Sequence, residues 1–70
     1  MITPDDVLRE ARRIARRRLS GLMLERALEC INDDDTRVIA NRKLSTELFN
    51  TEALLAIYIK CIKPEEKSGG

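Results

Sequence analysis

The densest set of reactive side chains in this chain is the run Ala11 to Leu19, Ala-Arg-Arg-Ile-Ala-Arg-Arg-Arg-Leu. Counting Arg9 as well, the first twenty residues hold six arginines against Asp5, Asp6 and Glu10, a surplus of three positive charges. The rest of the chain has two more acids than bases, and the whole carries +1. A guanidinium presents a rigid fork of donors that matches a carboxylate or a phosphate, so the chemistry on offer here is anion recognition. Asp5, Asp6 and Glu10 lie three or four residues from arginines, a spacing that on a helix also permits internal pairing.

The remaining candidates are few. Cys30 and Cys61 stand far apart, with apolar neighbours and no Cys-x-x-Cys spacing, which predicts buried free thiols. With no histidine in the chain, neither the cysteines nor the scattered serines and threonines have an activating imidazole, so no enzymatic activity is expected. Tyr58 reads as a core residue with its hydroxyl at the edge. Asn32-Asp33-Asp34-Asp35-Thr36 offers clustered oxygens, but it lacks the glycine and distal glutamate of a calcium loop. Helix capping is its expected role, and neither a metal nor a cofactor is predicted.

These side chains have to be positioned by a small domain. Seventy residues support one core, and a chain this short buries only about 60% of its unfolded surface, so help from a partner or a second copy is expected. Thr3-Pro4-Asp5-Asp6 predicts a helix start, with threonine accepting from free amides, proline in the first turn and acids at the positive end of the dipole. On that helix Val7, Leu8, Ala11, Ile14, Ala15 and Leu19 share a face, and Arg9, Arg12, Arg13 and Arg16 lie opposite, with Arg17 at the margin. The alanine pair leaves the stripe thin enough for close helix approach. Arg18 misfits, because a straight helix would aim it from the apolar stripe.

From Leu22 the apolar face reverses. Met23, Leu24, Ala27, Leu28, Cys30 and Ile31 align about 180° from the first face, which predicts a break at Ser20-Gly21, with Ser20 able to cap the next helix. A single long helix facing two neighbours in an oligomer is the alternative. Val38, Ile39, Ala40 and Leu44 suggest a third helix. Ser45-Thr46-Glu47 and Asn50-Thr51-Glu52 are both possible entries to the next one. Ala53 to Ile62 is the most apolar segment and predicts a central helix, with Glu52, Ala56, Lys60 and Lys63 on its exposed strip and Pro64 as its stop.

The expected architecture is therefore all-α, three to four short helices near 4–19, 21–32, 36–44 and 51–63. They form one domain over residues 1–64, followed by a disordered tail over 65–70. No run is long and apolar enough for a membrane span, and acids stand where a secretory signal would carry bases. Together with free thiols this suggests a cytoplasmic protein.

The partner expected for such a chain is a protein with an acidic surface, met through Arg9, Arg12, Arg13, Arg16 and Arg17, with self-association as a further option. Nucleic acid is the alternative, with the same arginines on phosphates. Arg9 to Arg18 resembles the arginine-rich helical peptides of RNA-binding antiterminators, which would imply RNA phosphates as the ligand. Leu24-Glu25-Arg26 with Glu29 resembles the small helical nucleoid-associated modulators of the Hha type, a likeness that assigns no site residue. Phe49 and Tyr58 are the only aromatics, so stacking platforms for single strands are missing.

Overall fold

A computed structural model describes residues 3–42 and 51–68, and over these residues the protein is all-helical. Helix α1 spans Pro4–Arg18, α2 Gly21–Ile31, α3 Asp34–Arg42 and α4 Thr51–Ile57. Helix α4 continues through a π-helical turn, Tyr58–Ile62, into α5, Lys63–Ser68. Leu44, Phe49 and the entry signal Ser45-Thr46-Glu47 lie outside the described residues.

The start of α1 follows from its sequence. The Thr3 hydroxyl accepts from the Asp6 amide at 3.3 Å, and the Asp6 carboxylate accepts from the Thr3 amide at 2.9 Å, a reciprocal cap with Pro4 in the first turn. Helix α1 ends at Arg18. Leu19 and Ser20 are extended, and Gly21 takes φ +59°, a left-handed conformation open to glycine and costly for residues with a Cβ. The reversal of apolar phase is thus resolved by a break. Ser20 occupies the cap position of α2 without a side-chain cap hydrogen bond, so the turn rests on glycine rather than on the expected serine cap.

The core is unusually rich in alanine. Ala11, Ala15, Ala27, Ala40 and Ala53 are all completely buried, alongside Ile31, Ile57 and Ile62. Helix α1 packs against α2, α3 and α4, and its alanines let the neighbouring backbones approach closely.

The rod over Thr51–Ser68 departs from expectation in three ways, and the first concerns Pro64. In a regular α-helix its ring would press on the carbonyl of Lys60, four residues earlier, and it has no N–H to give that carbonyl. The π turn intervenes, with the Lys63 amide bonding the Tyr58 carbonyl five residues back, and the widened turn sets Pro64 in the first turn of α5. The chain therefore stays helical past Pro64 instead of stopping there.

As a second departure, residues 65–68 are helical where a disordered tail was expected. Lastly, the outward strip carries Glu52, Leu55, Ile59 and Lys63, with Leu55 59% and Ile59 52% exposed, whereas Lys60 is half-buried and Ala56 is partly covered.

Enlarging a seam residue should show how tight this packing is. Ala15→Leu is expected to lose about 1–3 kcal/mol in urea unfolding through overpacking, and an unchanged midpoint would contradict the close approach of α1 to its neighbours.

Candidate functional site: an arginine face, an apolar groove and a bonded cysteine pair

Most arginines of α1 are engaged within the protein. Arg9 pairs with Asp6 at 3.7 Å. The Glu10 carboxylate accepts from Arg13 Nε at 3.1 Å and Nη2 at 2.5 Å. Arg12 donates to Asn32 Oδ1 at 3.0 Å, which ties α1 to the turn after α2. Asp5 does not pair along its own helix; it meets Arg37 of α3 at 2.8 Å. Thr3 holds the Asp6 carboxyl below its ordinary range, first through its amide, and the Arg13 hydrogen bond does the same for Glu10. Arg16 and Arg17 are exposed, with no hydrogen bond or ion pair among the described residues. Of the five predicted contact residues, Arg9, Arg13, Arg16 and Arg17 face outward and Arg12 is partly covered; Arg9 and Arg13 have carboxylate ion-pair partners, whereas Arg12 meets only the neutral Asn32 amide, and Arg16 and Arg17 have no ion pair among the described residues.

Arg18 finds a specific place because the helix ends at it. Its guanidinium lies 5.5 Å from the centroid of the Tyr58 ring, and its Nε donates to Glu66 Oε1 at 2.8 Å. The Tyr58 hydroxyl donates to the same carboxylate oxygen. This three-residue cluster fastens α5 to the end of α1. Beside it Ile14, Leu54, Leu55 and Tyr58 line an open apolar groove of about 310 Å³. One turn along α1 from Ile14 are Glu10, Ala11, Arg17 and Arg18, so Arg17 shares this side of the helix with the groove residue.

At the opposite end of α2, Cys30 and Cys61 are joined in a disulfide with Cα atoms 5.5 Å apart, which corrects the expectation of free thiols. Spacing in sequence does not report that α2 packs on the π turn, which brings positions 30 and 61 together. A bridge closing a loop of this size typically contributes about 2–4 kcal/mol, a large share of a small domain's stability. The cytoplasmic expectation loses the support it drew from unpaired thiols. What stands is that no helix among the described residues is long and apolar enough to cross a membrane.

Around the bridge lies a polar cluster that sequence patterning missed. Thr36, completely buried, donates its hydroxyl to the Cys30 carbonyl at 2.6 Å and accepts from Lys60 Nζ at 2.8 Å. Lys60 Nζ is also 3.6 Å from Cys30 Sγ. Periodicity placed Lys60 outward, and only the packing of α2 and α3 on the rod shows what its ammonium reaches. No group of three or more candidate metal ligands occurs among the described residues.

The chain matches no protein-family model, no curated protein and no solved structure. The two resemblances read from Arg9–Arg18 and from Leu24–Glu29 therefore gain nothing from these comparisons.

The cluster at Arg18 should make docking of α5 depend on pH. The Tyr58 hydrogen bond, then Arg18, holds the Glu66 carboxyl below its ordinary value of 4.5. Its contribution to stability is present above about that pH and is lost as pH falls through the native midpoint. The Tyr58 phenol is pushed above its ordinary 10.0, chiefly by Glu66. Its contribution is present below that value and is lost as pH rises through the native midpoint. Fluorescence of the single tyrosine should therefore be level between these limits and change beyond each. Glu66→Gln should remove the acid-side change, and an acid limb that survives it would assign that transition elsewhere.

Proposed function

We propose that the protein is a non-enzymatic interaction module that binds an acidic, amphipathic helical segment of another protein. The observation that carries this reading is the open apolar groove of Ile14, Leu54, Leu55 and Tyr58; Arg17, one helical turn from Ile14 and without an ion-pair partner among the described residues, supplies the positive charge on that side of α1. An apolar side chain of the segment fills the groove, and its carboxylate meets Arg17. Apolar contact supplies affinity, and charge supplies orientation and encounter rate. Leu55, more than half exposed at the groove, is the kind of residue that a bound segment covers.

The phosphate-binding alternative uses the same arginines. It is weakened by the internal carboxylates that already engage Arg9, Arg13 and Arg18, because affinity for nucleic acid grows with the number of phosphates neutralised. Self-association through Leu55 and Ile59 would use the same outward strip of the rod, and it would appear as a concentration-dependent melting temperature.

Nuclear magnetic resonance titration with a set of acidic amphipathic peptides, beside a DNA duplex and an RNA hairpin, separates these readings. Peptide binding should perturb Ile14, Arg17, Leu54 and Leu55. Leu55→Asp and Arg17→Glu should each weaken it about tenfold or more, with the helical circular dichroism retained. Tight, steeply salt-dependent binding of nucleic acid that ignores Leu55→Asp would overturn the proposal.

A further inference from the structure

We propose that Cys30 and Cys61 form a thiol–disulfide exchange site for low-molecular-weight thiols and disulfides, in which Cys30 is the reacting sulfur and Lys60 sets its reactivity. Three observations converge on it. Cys30 is partly exposed whereas Cys61 is only 3% exposed, so Cys30 is the more accessible of the two to an external thiol. Lys60 Nζ stands 3.6 Å from Cys30 Sγ and is held there by the buried Thr36 hydroxyl at 2.8 Å. Thr36 Oγ1 also lies 3.8 Å from Cys61 Sγ, and its own proton is directed to the Cys30 carbonyl, so a reduced Cys61 can donate its S–H to it.

The two sulfurs are thereby differentiated. In the reduced protein an ammonium beside Cys30 favours its thiolate, and Cys61 rests as a thiol bonded to Thr36. Cys30 sits in the last turn of α2, where the helix dipole opposes a thiolate. That opposing influence amounts to about half a charge, whereas Lys60 supplies a full charge in contact. It is further reduced because the Cys30 carbonyl already accepts from Thr36 and from the Asp33 amide. The charged residues on the converging elements, beside Lys60, include Glu25, Arg26, Glu29, Asp33, Asp34, Asp35, Arg37, Lys63 and Glu65. Of these Arg26 lies 3.8 Å from Glu65, and Arg37 is turned to Asp5.

The exchange balances as follows. In reduction, an external thiolate attacks Cys30 Sγ, the Cys30–Cys61 bond breaks, and the electron pair leaves on Cys61, which takes a proton from solvent. A second external thiolate attacks the outer sulfur of the mixed disulfide and releases Cys30 as thiolate together with the oxidised small disulfide. In oxidation the Cys30 thiolate attacks a small disulfide and expels one thiolate, which accepts the Cys61 proton. Cys61 then attacks Cys30 Sγ and expels the second.

Alkylation of the reduced protein with iodoacetamide, followed by peptide mass mapping, tests this directly. At pH 7 Cys30 should be modified about tenfold or more faster than Cys61, and absorbance at 240 nm should place its ionisation below the ordinary free-thiol value of about 8.5. Lys60→Met should slow Cys30 about tenfold at pH 7 and raise that midpoint, and Lys60→Arg should restore both. Oxidised glutathione should give the mixed disulfide on Cys30 in a Cys61→Ser variant. Equal modification rates for the two cysteines, labelling that requires unfolding, or a wild-type midpoint at or above 8.5 would overturn the assignment. The wild-type measurements decide the matter should a Lys60 variant fail to fold.

Discussion

A helix that ends inside a protein leaves its last carbonyl groups in need of donors, and the end of α2 is where this constraint shapes the molecule. The Cys30 carbonyl is met by the Asp33 amide of the following turn and by the hydroxyl of Thr36. Thr36 can be completely buried because its one proton and its acceptor capacity are both used. Meeting that demand draws the start of α3 against the end of α2 and recruits Lys60 from the rod. The same approach brings Cys30 and Cys61 within bonding distance. Three elements are thus locked at one junction by hydrogen bonds and a covalent bridge, in a domain whose alanine-rich core contributes little apolar area per residue.

The rod depends on a second local solution. Pro64 cannot sit within a regular helix at this position, and the π turn absorbs the misfit by adding a residue to the helical turn ahead of it. Its reach extends beyond the proline. The helix continues through residues 63–68 and delivers Glu66 to Tyr58 and Arg18. The docking of the C-terminal helix and the position of Arg18 both rest on this turn.

The electrostatic character of α1 changes once its partners are visible. Six arginines in ten residues suggest a broad cationic face. Glu10, Asp6 and Glu66 hold Arg13, Arg9 and Arg18, and Asn32 holds Arg12. The three exposed ion pairs contribute little to stability, but they reduce the charge available to a ligand, which the Arg12–Asn32 hydrogen bond does not. What remains without a carboxylate partner among the described residues is narrower, Arg12, Arg16 and Arg17, of which Arg17 lies one helical turn from the groove residue Ile14, and it favours a small amphipathic contact over an extended polyanion.

The local features of this fold were legible in its residues. The Thr3-Pro4-Asp5-Asp6 cap, the break at Gly21, the helix starting in the aspartate cluster and the apolar face of α1 each arise from interactions within a few residues. Such interactions are written in composition and spacing. Tertiary packing decided the Cys30–Cys61 bridge, the burial of Thr36, the inward reach of Lys60, the pairing of Asp5 with Arg37 and the helix beyond Pro64. Each of these joins residues distant in sequence, or, for Pro64, depends on a π turn that packs on α2. Periodicity assigns a residue to a face of its own helix but carries no information about which other helix that face will meet. For that reason the arginine run was evident from the sequence, whereas which of its arginines meet carboxylates, and the apolar groove on the Ile14 side of α1, emerged only when the helices were brought together.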